Sequence, residues 1–320
     1  MGRNKFHLFL VGLKGMAMGA ADVVPGVSGG TIAFISGIYE ELIESIDKLN
    51  LSSLKLIKSH GFKLFWKNIN GSFLLALVTG IAISILSLAK IIKWLLQNEP
   101  VLLWSFFFGL VVASIVFIGK QIKTTNFLII SAIIISTLLS YYVTRAEPFA
   151  SPDSNLYLLF CGFVAIIAMI LPGISGAFIL LLLGAYEIAI ETINNLIESV
   201  TTLNSALFLE AITKFAMLGI GAIVGIKVFS KILNWMFKHH KNLTLAILTG
   251  FMIGSLNKIW PWKKVLTWRL NSEGLKVPLL EESIAPSAYN GEPQIILAMT
   301  LMLIGFLTIF ILEKLGSKRA

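Results

Sequence analysis

Two short glycine-rich stretches interrupt apolar segments of the chain. Break 1, residues 25–30, is Pro-Gly-Val-Ser-Gly-Gly, and break 2, residues 172–177, is Pro-Gly-Ile-Ser-Gly-Ala, 147 residues later. A proline followed closely by glycines cannot continue a regular helix, so each stretch predicts a helix break. The half-helix that follows each break begins with unpaired backbone N–H groups, which inside a membrane need an acceptor. These residues therefore favour the binding of an anion.

The residues at the breaks are small or carry hydroxyl groups. Glycine lets a ligand approach the backbone, and the hydroxyls of Ser28, Thr31 and Ser175 add donors. Alternatively, the breaks are only hairpin tips, in which each serine caps a helix and the glycines pack against a neighbouring helix. The candidate anion contacts are Gly26, Val27, Ser28, Gly29, Gly30, Thr31, Gly173, Ile174, Ser175 and Gly176.

Charged residues inside apolar segments are further candidates, because a charge buried in a membrane is costly and often functional. Lys14 and Lys227 could pair with an anion, or could be anchors whose ammonium groups reach the membrane surface. Asp22 lies three residues before Pro25 and is a further possible charge partner or coupling residue. Broken apolar helices in corresponding positions of two halves are typical of the binding site of a transporter. Glu40 and Glu187 lie near half-helix C-termini, where they are either solvated interface residues or hold a proton or cation that would couple such transport to an ion gradient.

The composition indicates a membrane protein. Hydrophobic residues make up 56% of the chain and charged residues 13%, and the mean hydropathy is +0.85. Soluble domains are about 45 to 50% apolar and about 25% charged. The net charge of +9 comes from lysines in short loops between apolar segments, which indicates membrane topology and no nucleic-acid partner.

The sequence predicts no metal site, cofactor or redox chemistry. It has one cysteine and four histidines, without the spacing of a disulfide framework or a zinc site. If transport is coupled to an ion, a proton or sodium could serve.

The apolar segments form two similar sets. Residues 1–150 predict a re-entrant hairpin at about 6–47 followed by three spans, and residues 151–320 predict a hairpin at about 156–193 and three more. The predicted spans are about 71–94, 101–119, 126–144, 211–235, 243–259 and 294–313. Beyond the hairpins the halves match at a spacing of 141, as in Gly80 with Gly221. Three crossings per half make the halves inverted repeats, so the predicted fold class is an all-α polytopic membrane protein with two inverted repeats.

The distribution of lysines predicts the orientation. Residues 48–70 contain five lysines and no acidic residue, which is typical of a cytoplasmic loop. Residues 194–210 contain two glutamates and no Lys or Arg, as expected for an external loop. The polar stretch 260–293 is predicted to be external too, and both chain termini are then cytoplasmic.

The sequence around break 1 resembles a known family signature. Residues 14–31, followed by Ile38-Tyr39-Glu40, are similar to the signature of the bacterial polyprenyl-phosphate (undecaprenyl-phosphate) transporter family, formerly a domain of unknown function. Residues 254–256 and 260–263 resemble another of its stretches, and the resemblance covers nearly the whole chain. It implies a flippase that moves undecaprenyl phosphate, the recycled lipid carrier of cell-wall synthesis, across the bacterial plasma membrane.

Break 2 departs from this signature at two positions. Ala177 stands where break 1 has Gly30, and Met169 stands where the first half has Asp22. The two halves are therefore not expected to bind the phosphate equally.

Two other functions remain open on the residues alone. A secondary transporter of a small soluble anion would use the same pocket without a lateral path for a lipid tail. An intramembrane lipid-phosphate enzyme is less well supported, because the histidines lie near a terminus or in loops and supply no nucleophile and base pair inside the membrane. We therefore predict no catalytic residues and no enzyme activity. Small-residue pairs such as Gly221 with Gly225 allow close helix packing within one chain or between chains.

Overall fold

The computed structural model describes residues 5–24, 27–148, 154–270, 274 and 276–317, and this part of the chain is mostly helical. The helices of the first half are α1 (Lys5–Asp22), α2 (Gly29–Ile35), α3 (Tyr39–Asp47), α4 (Leu51–His60), α5 (Phe62–Asn68), α6 (Gly71–Asn98), α7 (Pro100–Gly119) and α8 (Phe127–Arg145). Those of the second half are α9 (Asn155–Ile170), α10 (Gly176–Leu182), α11 (Tyr186–Thr201), α12 (Ser205–His239), α13 (Lys241–Ser255) and α14 (Ile295–Ser317). Two strands, β1 (Lys263–Leu270) and β2 (Lys276–Ser283), lie between α13 and α14.

Four helices in the described residues are long and apolar enough to cross a membrane, namely α6, α7, α8 and α12. Helices α10 and α11 pass the same test together, but they are bent by 107° at the turn between them. Helix α9 and the first 16 residues of α14, Ile295–Phe310, are shorter apolar helices. The chain is therefore a multi-pass membrane protein with a helical membrane region.

Each predicted span has a corresponding helix. The spans at 71–94, 101–119, 126–144, 211–235, 243–259 and 294–313 correspond to α6, α7, α8, α12, α13 and α14. Helix α12 is longer than predicted because it begins at Ser205. Helix α13 ends at Ser255 and has 15 residues, fewer than the about 20 that a membrane-spanning helix usually needs.

Three segments that we predicted as loops contain regular structure. The prediction for 194–210 is wrong, because α11 continues to Thr201 and α12 begins at Ser205. Residues 48–70 form α4 and α5, and the stretch 260–293 contains the strands β1 and β2. The described chain is thus not purely helical, because this connection forms an antiparallel hairpin.

Each half-helix after a break is interrupted a second time. Gly37 separates α2 from α3 with a φ of +72°, and Gly184 separates α10 from α11 with a φ of +67°. Glycine adopts these left-handed angles without steric cost. The two glycines are 147 residues apart, so the repeated sequence contained this signal although we predicted an unbroken half-helix in each hairpin.

Close helix pairs depend on glycines. A side chain on Gly15 would collide with a backbone oxygen of α6, and one on Gly80 would collide with a backbone oxygen of α1. Gly162 and Gly221 make the same kind of contact between α9 and α12. Gly15 and Gly162 are 147 residues apart and Gly80 and Gly221 are 141 apart, so equivalent residues make both helix pairs. Helix α7 packs on α14 and α8 packs on α13, so each half supplies one helix to each of these pairs.

The interior of the protein is organised around α2. All seven of its residues are buried, and it contacts α1, α3, α7 and α9. This packing buries residues 27–30 of break 1 and places them against the C-terminal end of α9. The strand hairpin and its flanking residues are held together by two tryptophans. The indole Nε1 of Trp262 donates to Pro293 O at 2.8 Å, and that of Trp260 donates to Ile284 O at 2.8 Å.

Candidate functional site

Break 1 is confirmed, since α1 ends at Asp22 and α2 begins at Gly29. Ser28 is the N-cap of α2, and its Oγ accepts from the backbone N–H of Gly30 at 3.1 Å. The carboxylate of Asp22 accepts from the backbone N–H of Gly29 at 2.6 Å. Two N–H groups that we predicted to bind an anion are therefore bound by side chains of the protein itself. The candidate contact Gly26 lies outside the described residues.

Break 2 is confirmed as well, since α9 ends at Ile170 and α10 begins at Gly176. Gly173 has a φ of +91°, which favours glycine, and a Cβ there would lie 2.8 Å from Ser255 Oγ. Ser175 occupies the N-cap position of α10, but its side chain makes no capping hydrogen bond. The start of α10 thus has less side-chain support than the start of α2.

The two breaks are in direct contact. Ser28 Oγ donates to Met169 O at 2.8 Å, and the backbone N–H of Gly173 donates to Thr31 Oγ1 at 2.9 Å. Ser28, Thr31 and Gly173 are all buried. Stretches 147 residues apart in sequence therefore form one polar cluster inside an apolar protein. Val27 and Ile174, also candidate contacts, are buried within the same two breaks.

Tyr39 is a site residue that the sequence analysis missed. Its hydroxyl donates to Ile170 O at 3.0 Å, and the side chain is 1% exposed. Gly30 packs against the same carbonyl, and a Cβ there would also lie 2.9 Å from Met169 O. The repetition of Tyr39 as Tyr186, at the spacing of 147, was a signal that could have drawn attention to it.

The structure does not bring the two candidate lysines to the breaks. Lys14 Nζ donates to Ser36 O at 2.7 Å, at the end of α2. Lys227 Nζ donates to Ile46 O at 2.8 Å and to Asp47 O at 3.0 Å, at the end of α3. The C-terminus of a helix carries a partial negative charge, so an ammonium group there stabilises the helix. In this arrangement the two lysines cap the C-terminal ends of α2 and α3, and a contact with a bound anion stays a prediction.

Glu40 and Glu187 are ion-paired with distant parts of the chain. Glu40 Oε1 lies 2.6 Å from Lys241 Nζ, and both side chains are about half exposed. Glu187 pairs with Arg269 of β1, whose guanidinium carbon also lies 5.1 Å from the ring centroid of Tyr186. Neither glutamate contacts the breaks through these bonds, and a role in coupling to an ion stays a prediction.

The groups that meet at the breaks are hydrogen-bonding groups. They are two hydroxyls, a phenol, a carboxylate and several backbone groups, and the hydroxyls, the phenol and the carboxylate all take part in hydrogen bonds within the protein. Among the described residues, no three His, Cys, Asp or Glu side chains lie together as a metal site requires.

Comparisons with known proteins identify the family. Residues 18–277 match a family model described as undecaprenyl phosphate translocase-like, and this range includes both breaks. A protein of Vibrio cholerae serotype O1 named polyprenyl-phosphate transporter is 43% identical over 310 residues, which cover 96% of each chain. The chain belongs to the polyprenyl-phosphate transporter family. The resemblance seen at residues 14–31 is therefore confirmed.

A second relative within this transporter family is more distant. It is a Staphylococcus aureus protein, also named polyprenyl-phosphate transporter, that is 31% identical over 261 residues, or 78% of this chain and 85% of its own. No solved structure matches the chain.

Proposed function

We propose that this family member is a flippase that moves undecaprenyl phosphate across the bacterial plasma membrane and so returns the lipid carrier of cell-envelope synthesis. The observation that carries the proposal is the direct contact of two hydroxyl-bearing helix breaks, through Ser28 with Met169 and Thr31 with Gly173. Polar groups inside a membrane protein are costly unless they serve a ligand or each other. The names of the two relatives favour a lipid phosphate as that ligand.

The phosphate would bind at the half-helix N-termini of the two breaks. Asp22 and Ser28 now accept from the N–H groups of Gly29 and Gly30, so binding would exchange these internal bonds for bonds to phosphate oxygens. The hydroxyl of Ser28, which donates to Met169 O, could turn to donate to the phosphate instead. The exchange conserves hydrogen bonds, so that no buried donor is left unpaired in either state.

A groove between α1 and α6 supports a lipid rather than a small soluble anion. It is a cavity of about 450 Å³ with a mostly apolar lining that includes Phe9, Leu13, Met16, Leu75 and Ile83. Met16 lies six residues before Asp22, or about 9 Å along a helix. A headgroup at break 1 could therefore have the first part of its apolar tail in this groove. A soluble anion would need no such path.

We further propose that the halves are inverted repeats whose hairpins meet in mid-membrane, which would let the site open to either side. The packing of α1 on α6 is repeated by the packing of α9 on α12, which supports this layout. The packing of α7 on α14 and of α8 on α13 supports it too, because each of these pairs joins one helix from each half. Charge supports an orientation in which the lysine-rich α4 and α5 and both termini are cytoplasmic. The number of crossings after α5 would then place the strand hairpin on the external side.

The test is transport in proteoliposomes. A labelled polyprenyl phosphate should cross between leaflets only when the protein is present, and the corresponding alcohol should not be accelerated, because selectivity resides in the phosphate. Uptake of inorganic phosphate without acceleration of the lipid would contradict the proposal and support the soluble-anion transporter. Release of phosphate from the lipid would instead indicate an enzyme.

A further inference from the structure

A partly buried basic cluster lies outside the break contact described above. It consists of Lys258, Lys263 and Glu281, whose side chains are 14%, 8% and 21% exposed. Both ammonium groups approach the same carboxylate oxygen, Glu281 Oε2, at 3.4 Å from Lys258 and 3.7 Å from Lys263. Two cations share one anion, so the cluster has an excess positive charge.

The ammonium group of Lys263 is poorly satisfied. Its Nζ is buried and has no hydrogen-bond partner anywhere in the described part of the chain. It lies 3.6 Å from the ring centroid of Trp104, so a cation–π contact takes the place of a hydrogen bond on that side. An ammonium group has three donors, and leaving all of them without a hydrogen bond in a buried site is costly, even with the carboxylate of Glu281 at 3.7 Å. An incoming anion would therefore be stabilised here.

Lys258 connects this cluster to break 2. Its Nζ lies 4.9 Å from the ring centroid of Phe178, which belongs to α10. Its backbone N–H donates to Ser255 O at 2.9 Å, and the hydroxyl of Ser255 is the atom closest to where a Cβ of Gly173 would be. Ser255, which lies beside break 2, is therefore one turn before Lys258, and Lys263 follows five residues later at the start of β1.

We infer that Lys258 and Lys263 form a second binding site for a phosphate group, which receives the phosphate as it leaves break 2 towards the side of the membrane that carries the strand hairpin. The handover rests on the proposed function, but the site itself requires only a phosphate, from a lipid headgroup or from free phosphate. A phosphate carries about −1.5 to −2 charges and three acceptor oxygens, so it can serve both lysines better than one carboxylate oxygen can. Glu281 would hold the lysines in place when no phosphate is bound.

The charges that the site needs are present near neutral pH. Burial lowers the pKa of Lys263 to about 8, against the opposing effect of Glu281, so the ammonium form still predominates at pH 7. Burial raises the pKa of Glu281, but the attraction of Lys263 and Lys258 outweighs it, and the pKa lies below its usual value. Phosphate binding at this site should therefore weaken as the pH rises through about 8, where Lys263 loses its proton. The charged groups that face Lys263 are Glu281 and Lys258.

The test compares substitutions that should act in opposite directions. Binding of a short-chain polyprenyl phosphate and of inorganic phosphate would be measured to the full-length protein in nanodiscs. Lys258→Gln and Lys263→Gln should each weaken binding of the lipid phosphate roughly tenfold, because each removes a charge-assisted hydrogen bond. Glu281→Gln should strengthen it severalfold, because it removes the competing carboxylate. Lys263→Arg should retain binding and lose the weakening above pH 8.

The matched control is Lys264→Gln, which changes an exposed lysine on the same strand and should leave binding unchanged. Thermal unfolding would be measured for every variant, and Lys258→Gln and Glu281→Gln keep the test decisive if Lys263→Gln does not fold. If Glu281→Gln weakens binding as Lys263→Gln does, the cluster is only a structural ion pair and the inference is wrong. Equal shifts in binding of the dephosphorylated alcohol would overturn it too.

Two further outcomes separate this inference from the proposed function. If the wild-type protein flips the lipid and none of the lysine variants changes phosphate binding, the proposed flippase function is supported and the second phosphate site is contradicted. If the wild-type protein does not flip the lipid, yet the lysine and glutamate variants shift phosphate binding in opposite directions, the second phosphate site is supported and the flippase function is contradicted. A response of inorganic phosphate alone would overturn the handover of a lipid headgroup.

Discussion

Break 1 and break 2 have nearly the same sequence, but they contribute different groups to their contact. Break 1 and the helices α2 and α3 after it supply side chains, namely Ser28, Thr31 and Tyr39. Break 2 and the end of α9 before it supply the backbone groups of Met169, Ile170 and Gly173. The two copies of a repeated motif have therefore taken complementary roles, as donor or acceptor side chains in one and as backbone partners in the other.

The helices that follow the two breaks also differ in how far they are buried. Every residue of α2 is buried, whereas in α10 only Gly176 and Leu182 are. The first break thus lies in the protein interior, where an unpaired polar group would be most costly, and it has the side chains that satisfy such groups. This comparison predicts that equivalent substitutions in the two breaks have unequal effects.

The largest difference in lipid transport is expected between the variants Gly30→Val and Ala177→Val. The two substitutions are at equivalent positions of the repeated motif. A side chain at Gly30 would meet the backbone carbonyls of Met169 and Ile170, which cannot move aside as a flexible side chain can. Overpacking of this kind costs about 1 to 3 kcal/mol or more, and it would separate the breaks. Gly30→Val should therefore abolish lipid transport in proteoliposomes and lower the thermal midpoint.

Ala177 is the matched control because it is exposed and already carries a Cβ. Ala177→Val should insert into the membrane normally and keep most of the transport rate. Equal losses of transport in both variants would show that the close contact at Gly30 has no special role.

The breaks could be predicted because their cause is local. Proline and glycine act on the backbone within a few residues, and the spacing of 147 placed both breaks in equivalent positions. The same reasoning could have placed the second interruptions at Gly37 and Gly184, since these glycines belong to the same repeated match. Their φ values of +72° and +67° show that glycine was the decisive residue there too.

The strand hairpin and the lysine partners could not be predicted in the same way. A two-stranded hairpin is only marginally stable alone, and this one depends on distant packing, as in the bond from Trp262 to Pro293. Lys227 lies 180 residues from Asp47 in sequence, and nothing local indicates that it caps α3. The sequence indicates Asp22 as a possible charge partner of the site, which stays a prediction, but it does not indicate that the Asp22 carboxylate accepts from the N–H of Gly29.

A smaller difference, in the free energy of unfolding, is expected between the variants Ser28→Ala and Ser175→Ala. Ser28 donates to Met169 O and accepts from Gly30 N–H, so alanine would leave the buried N–H of Gly30 and the carbonyl of Met169 without their partner. The expected loss in the free energy of unfolding is about 1 to 3 kcal/mol. Ser175 makes no capping hydrogen bond, so Ser175→Ala should change stability much less.

The measurement is unfolding of both variants in the same detergent, together with binding of the lipid phosphate. Binding should weaken in Ser28→Ala through the lost donor and also, to a smaller extent, in Ser175→Ala. A protein that is destabilised as much by Ser175→Ala as by Ser28→Ala would contradict the division of roles between the breaks.

The smallest difference, in affinity for the lipid phosphate, is expected between the variants Asp22→Asn and Met169→Leu at equivalent positions. Its sign tells whether Asp22 competes with the phosphate or organises its site. Asparagine can still accept from the N–H of Gly29, but it lacks the negative charge that would repel a phosphate there. If Asp22 occupies the phosphate position, Asp22→Asn should bind the lipid phosphate about threefold more tightly, with a modest loss of stability. Met169 contributes its backbone carbonyl, so Met169→Leu should leave binding unchanged. Weaker binding in Asp22→Asn would instead mean that the carboxylate organises the site for the phosphate and does not compete with it.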